Sequence, residues 1–186
     1  MLKPTTPLIL AAVFVLVGCT TTTTVTVQAS NETSTSSAES QSGPSPGGSQ
    51  TAQVGDTITL NGSEDGLTMD VKLVKVVDPA KPSNSFFGPT KNHHFVAFQI
   101  ELMNAGTKTY SDSPANGAVL IDSKSQQYDP DITDPVGPGI GSSVKIAPGD
   151  KRVGYMSFEI PDGTKLSQFQ FTLDSGFGPD TGQWDL

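Results

Sequence analysis

A handful of residues in this chain have the type and spacing that chemistry requires. Asp129, Asp131 and Asp134, in the run YDPDITDP, put three carboxylates within six residues, and calcium takes such clustered oxygen ligands. Their order is not that of an EF-hand loop, and Pro130 and Pro135 restrict wrapping, so the set predicts at most a weak calcium site, against solvated acidic turns. His93 and His94 are the only histidines. Neighbours on an extended strand point to opposite faces, so the two rings do not share one ion; hydrogen-bonded or solvated imidazoles are expected. Gly43-Pro44-Ser45-Pro46-Gly47 has the GxSxG spacing but lies between prolines, with no strand-to-helix turn to hold a nucleophile. Gly137-Pro138-Gly139-Ile140-Gly141 lacks the Lys-Ser/Thr pair and the helix of a phosphate cradle, and reads as a mobile loop. No nucleophile, base and orienting group assemble, so the expectation is no enzyme, no catalytic residue and no cofactor. Phe86 and Phe87, in the Gly/Pro/Ser-rich connection from Asp78 to Asn92, either cover one end of the domain or touch a partner. With Trp184 near the chain end, they are the candidate partner contacts.

Cys19 is the single cysteine, so no internal disulfide supports the fold. It follows Lys3, an apolar run from Leu8 to Val17, and Gly18, the layout of an exported segment with its cut before Cys19. An apolar run of about ten residues is too short to cross a bilayer core, which needs roughly 20. Leu16-Val17-Gly18-Cys19 resembles the bacterial lipobox. That resemblance implies cleavage between Gly18 and Cys19 and lipid attachment on the Cys19 thiol, with acyl chains contributing about 0.8 kcal/mol per buried methylene.

The stretch from Thr20 to Gln50 is rich in Thr, Ser, Gly and Pro, with few apolar side chains, a composition that cannot offset the entropy of ordering. It predicts a flexible stalk with an r.m.s. span of about 30 Å. The organisation expected is therefore a signal peptide over 1–18, a lipid-anchored stalk over 19–50 and one folded domain over 51–186. Net charge is -8, from 19 acidic and 11 basic residues, which argues against nucleic acid as a partner.

From Val54 onward short apolar alternations are separated by Gly, Pro, Asn and Asp, the signature of an all-β domain. Val54 to Leu60 forms a first strand. Leu67, Met69, Val71 and Leu73 alternate in a second, whose phase breaks at Val74, where a bulge is expected. Val96, Phe98, Ile100 and Leu102 share one face of the strongest strand. Ala118 to Asp122, Lys151 to Ile160 and Phe169 to Leu173 complete six or seven strands, the size of an immunoglobulin-like antiparallel β-sandwich.

The motifs Val54-Gly55-Asp56-Thr57, LTMDVKLVKVVDP, FVAFQIELMN before Ala105-Gly106-Thr107, Tyr110-Ser111-Asp112-Ser113-Pro114, and Pro148-Gly149-Asp150 before GYMSFEIPDG follow one another in a fixed order. Together they resemble a domain family of unknown function that recurs in secreted and lipid-anchored proteins of Gram-positive bacteria. The resemblance implies an immunoglobulin-like sandwich on the extracytoplasmic face of the membrane and brings no catalytic residues with it. The expected function is a membrane-anchored, non-catalytic binding domain for an unidentified extracellular protein or envelope component, with the loops from Asp78 to Asn92 and Asp129 to Ala147 as its contacts. The alternative is a carrier or sensor of a small molecule or cation.

Overall fold

The computed structural model describes residues 49–82, 86, 88–131 and 136–186. Cys19, the signal peptide and nearly all of the stalk lie outside them. Eleven strands make up most of the described chain: β1 (Ser49–Gln53), β2 (Thr57–Asn61), β3 (Thr68–Ala80), β4 (His93–Asn104), β5 (Tyr110–Asp112), β6 (Ala118–Asp122), β7 (Gln127–Tyr128), β8 (Val144–Ile146), β9 (Lys151–Pro161), β10 (Leu166–Thr172) and β11 (Thr181–Asp185). One sheet runs β1-β11-β10-β6-β7, the other β2-β3-β4-β9, and β5 with β8 forms a short ribbon. The protein is an all-β sandwich, as its alternation predicts.

Why these strands form is plain in β4. Val96, Phe98, Ile100 and Leu102 are fully buried while Gln99, Glu101 and Met103 are partly exposed, the period-2 pattern of a half-buried strand. The bulge expected near Val74 is present: the β3–β4 register shifts between Leu73 and Lys75, and the inward row resumes at Val76, which packs on the core. Met156, Phe158 and Ile160 of β9 and Phe169, Phe171 and Leu173 at β10 face inward as expected.

Four rings tie the sheets together. Phe98 stacks on Phe169 at 5.0 Å and 16°, and Phe158 meets both edge-on, at 5.3 and 6.3 Å. Trp184 closes the group, 5.9 Å from Phe169. Such pairs add about 0.5 to 1.5 kcal/mol each beyond the area they bury. Trp184 is therefore not a partner contact: it is fully buried, and its indole N–H donates to the Asp56 carbonyl at 3.1 Å. The physical reason is Gly182, two residues earlier on the same face. A Cβ there would stand 2.9 Å from the Trp184 ring, so the glycine leaves the space the indole fills.

The loop from 129 to 143 also departs from expectation. Its described part is a strap held on the free edge of β9 by backbone hydrogen bonds. The Asp131 N–H donates to the Ser157 carbonyl at 2.7 Å, the Tyr155 N–H to Pro138 at 3.0 Å, and the Ile140 N–H to Tyr155 at 3.0 Å. A backbone ladder of this kind blocks an edge that would otherwise pair with another chain. The chain continues into β8, where Val144 and Ile146 are buried while Lys145 between them is exposed. The domain also begins earlier than residue 51, since Ser49 and Gln50 already pair with Thr181 and Gly182.

Candidate interaction surface

The sandwich has two unlike ends. The chain arrives at Ser49, opposite Thr181, at the end that carries the short 3-10 turns Pro114–Gly117 and Asp174–Gly176. There Asp112 gathers four donors: the Tyr110 hydroxyl at 2.8 Å, the Ser113 N–H at 2.7 Å, the Ser175 N–H at 3.0 Å and the Ser175 hydroxyl at 2.6 Å. Burial pushes the Asp112 carboxyl up, but the bonds from Ser175, Tyr110 and Ser113 outweigh it and hold the group below its ordinary range. The same burial, aided by Asp112, pushes the buried Tyr110 phenol far up, so it stays protonated and donates. Asp174 and Ser175 both have positive φ, 53° and 56°, which costs about 1 kcal/mol or more per residue unless the surroundings fix it. The Asp112 bonds to Ser175, and the Ser63 N–H bond to Asp174 at 2.6 Å, do so. Buried Asp180 likewise accepts both the backbone and side-chain N–H of Asn61 at 2.8 Å. None of these partnerships was foreseen from sequence; the Asp174-Ser175-Gly176 turn signal was the one clue. They lock loops, and Phe177 beside them is 86% exposed.

The opposite end carries the β3–β4 connection. Phe86 stands on it, 90% exposed, while Phe87 lies outside the described residues. The base of this loop is clamped. The Thr90 N–H donates to Glu159 at 2.6 Å, and the Asp162 N–H to the Asn92 carbonyl at 2.9 Å. His94 sits between two carboxylates, Nε2 at 3.0 Å from Asp78 and Nδ1 at 3.1 Å from Asp162. A neutral imidazole can donate to one of them and an imidazolium to both. Its two nitrogens point in opposite directions, so they do not converge on one ion; His93 turns instead toward the Lys91 carbonyl, 3.2 Å away.

Beside this clamp a cleft of about 400 Å³ opens between the β6–β7 and β9–β10 turns, lined by Lys124, Tyr128, Asp162, Thr164 and Lys165 among others. Its floor is fixed by Asp122, which accepts the Lys124 and Gln126 N–H groups at 2.8 Å and the Tyr128 hydroxyl at 3.2 Å. Although burial raises the Asp122 carboxyl, those bonds hold it below its ordinary range. Of the calcium candidates, Asp129 is exposed, Asp131 is partly buried with its backbone spent on the strap, and Asp134 lies outside the described residues. Among the described residues no three His, Cys, Asp or Glu side chains converge on a metal position.

Solved structures share this sandwich. A secreted protein of Mycobacterium tuberculosis, MPT63, is 15% identical with a TM-score of 0.53, over 74% of this chain and 97% of its own. A Bacillus subtilis protein described as a "putative lipoprotein", ycdA, is 14% identical with a TM-score of 0.54; the match covers 73% of this chain and 38% of that one. At these identities the likeness is one of fold. No curated protein matches the chain. A family profile spans residues 20–180, nearly the whole length beyond the apolar leader, and on that match the chain belongs to the family described as a domain of unknown function, DUF4352.

Proposed function

We propose that the protein is an extracytoplasmic lipoprotein, held on the membrane by lipid on Cys19, whose sandwich is a non-catalytic binding domain. The observation that carries this reading is the polarity of the domain. The chain arrives at one end, beside Thr181, and the exposed Phe86 loop with its clamp of Asp78, His94 and Asp162 occupies the other. The secreted and lipoprotein descriptions of proteins with this fold agree with an extracytoplasmic address. The partner is an extracellular protein or envelope component met through the loop, and Phe86 with Phe87 is the contact.

The test is capture from envelope extracts by the purified full chain and by its Phe86→Ala/Phe87→Ala variant. Loss of captured partners in the variant supports the loop as the contact. Equal capture by both removes it.

A second reading, a small-molecule carrier or sensor, is favoured by the cleft of about 400 Å³ beside the clamp, which falls within the size range of ligand sites. Its polar walls of turn residues suit a weakly held hydrophilic ligand. A weak calcium site at Asp129, Asp131 and Asp134 belongs to the same reading, and a rise in melting temperature with millimolar calcium is the outcome that would favour it.

A further inference from the structure

Two clefts adjoin at the end of the sandwich that carries the β9–β10 turn, and they share Thr164 and Lys165. The polar one is the cleft of about 400 Å³ described above, with Lys124 and Tyr128 in its wall. The other, of about 560 Å³, is lined by Val54, Val76, Leu166 and Leu186, together with Lys75 and Asp78. Two shifts of register supply its apolar lining. β3 slips against β4 between Leu73 and Lys75, and β10 slips against β6 between Leu166 and Gln168. Val76 of one sheet and Leu166 of the other thereby both turn to the core, where each is partly buried. The cleft is open because β2 pairs with β3 only as far as Lys72, and the Gly55 N–H bond to the Leu73 carbonyl at 2.7 Å ends the pairing on that side among the described residues. Val54 and Leu186 are left 40% and 37% exposed beside it.

The charges around these clefts differ in what they still offer. Asp78 and Asp162 are both held by His94, and Asp122 accepts three hydrogen bonds. Lys75 reaches the Tyr155 ring, its ammonium 5.5 Å from the ring centre. Lys124 is exposed and acts electrostatically on Asp122. Lys165, where the two clefts meet, is exposed and makes no ion pair among the described residues. The carboxylates are thus occupied and the cation at the junction is not. A hydrophilic anion would leave Val54 and Leu186 in water, and a neutral hydrocarbon would leave the ammonium unused. A ligand with an apolar tail and an anionic head satisfies both. Clefts of this volume are the size of small-ligand sites and suit one chain rather than a membrane surface.

We infer that the joined clefts bind a single-chain anionic amphiphile, of the class of a fatty-acid carboxylate. Its chain lies along Val54, Val76, Leu166 and Leu186, and its carboxylate meets Lys165 and Lys124. The inference rests on the small-molecule reading given above, whose ligand class it names, and depends on neither Phe86 nor the anchor.

The test is a titration of the chain from residue 19 onward, carrying Cys19→Ala so that no attached lipid competes, with sodium acetate, hexanoate, octanoate and decanoate, followed by amide NMR shifts. Saturable shifts are expected at Val76, Lys165, Leu166 and Leu186 and not at Phe177 or Thr181, which lie at the other end. Affinity should rise from hexanoate to decanoate by up to about fourfold per methylene. Octyltrimethylammonium, with a similar chain and a cationic head, should bind at least about tenfold more weakly than octanoate. Lys124→Gln/Lys165→Gln is expected to weaken octanoate about fivefold, and Val54→Ser/Leu186→Ser to flatten the dependence on chain length. Phe86→Ala should change neither. Absence of saturable shifts with decanoate overturns the inference. So does binding that both double variants retain unchanged. Equal affinity for acetate and octanoate also overturns it, but leaves the small-molecule reading standing with a hydrophilic anion in the polar cleft.

Discussion

Asp112 joins its own segment at β5 to the Asp174–Gly176 turn, accepting four hydrogen bonds in all, and its titration makes the domain's stability depend on pH. Its carboxyl is held below the ordinary range when folded. The stability it contributes is thus fully present above the unfolded value, about pH 4, and is lost as pH falls through the folded value. Asp112→Asn is expected to lower stability near neutrality by about 1 to 3 kcal/mol, since it weakens charge-assisted bonds and frees a positive-φ turn. Its melting temperature should also fall less steeply than wild type below about pH 4. Parallel slopes for the two proteins would remove Asp112 as a source of acid sensitivity. At the other end, His94→Ala should raise amide hydrogen exchange at Thr90 and Asp162, whose N–H groups close the base of the Phe86 loop. The melting temperature should fall by a few degrees. Unchanged exchange would mean that the backbone bonds alone hold the loop. The sequence left His94 as either a hydrogen-bonded or a solvated imidazole and did not show its partners: Asp162 lies 68 positions away and reaches it only through the β9–β10 turn.

The strap on β9 shows what an element can hide. Gly154 is buried on that strand, and a Cβ there would strike the Ile140 backbone. Gly154→Ala is expected to lift the strap at a cost of about 1 to 3 kcal/mol and to expose a pairing edge, read as a lower melting temperature with growth of light scattering. An unchanged melting temperature would show that the strap adapts. The long strands β3, β4, β9 and β10 were readable because each repeats apolar residues over several turns of the pleat. By contrast β11 presents one tryptophan and one glycine inward, β7 has only two residues, and the described part of the strap pairs with β9 through isolated bridges. Side-chain periodicity has nothing to record in such elements, so eleven strands stand where six or seven were expected. The same shortness concealed the role of Trp184, because a lone ring near a chain end carries no phase.

On the scale of the whole molecule, the core lies between the sheets and most of the named polar groups lock loops. The Phe86 end is the surface on which the proposed binding rests. The family match fixes the relationship of the folded part, and the lipobox residues Leu16 to Cys19 connect that domain to a membrane in the reading proposed here. Lipid on Cys19 is read by detergent phase partitioning of the wild type and of Cys19→Ala, each expressed in a lipoprotein-processing bacterium. Wild-type chain is expected in the detergent phase, and the variant in the medium or accumulating uncleaved. A cleaved Cys19→Ala chain that still partitions into detergent as the wild type does would contradict it.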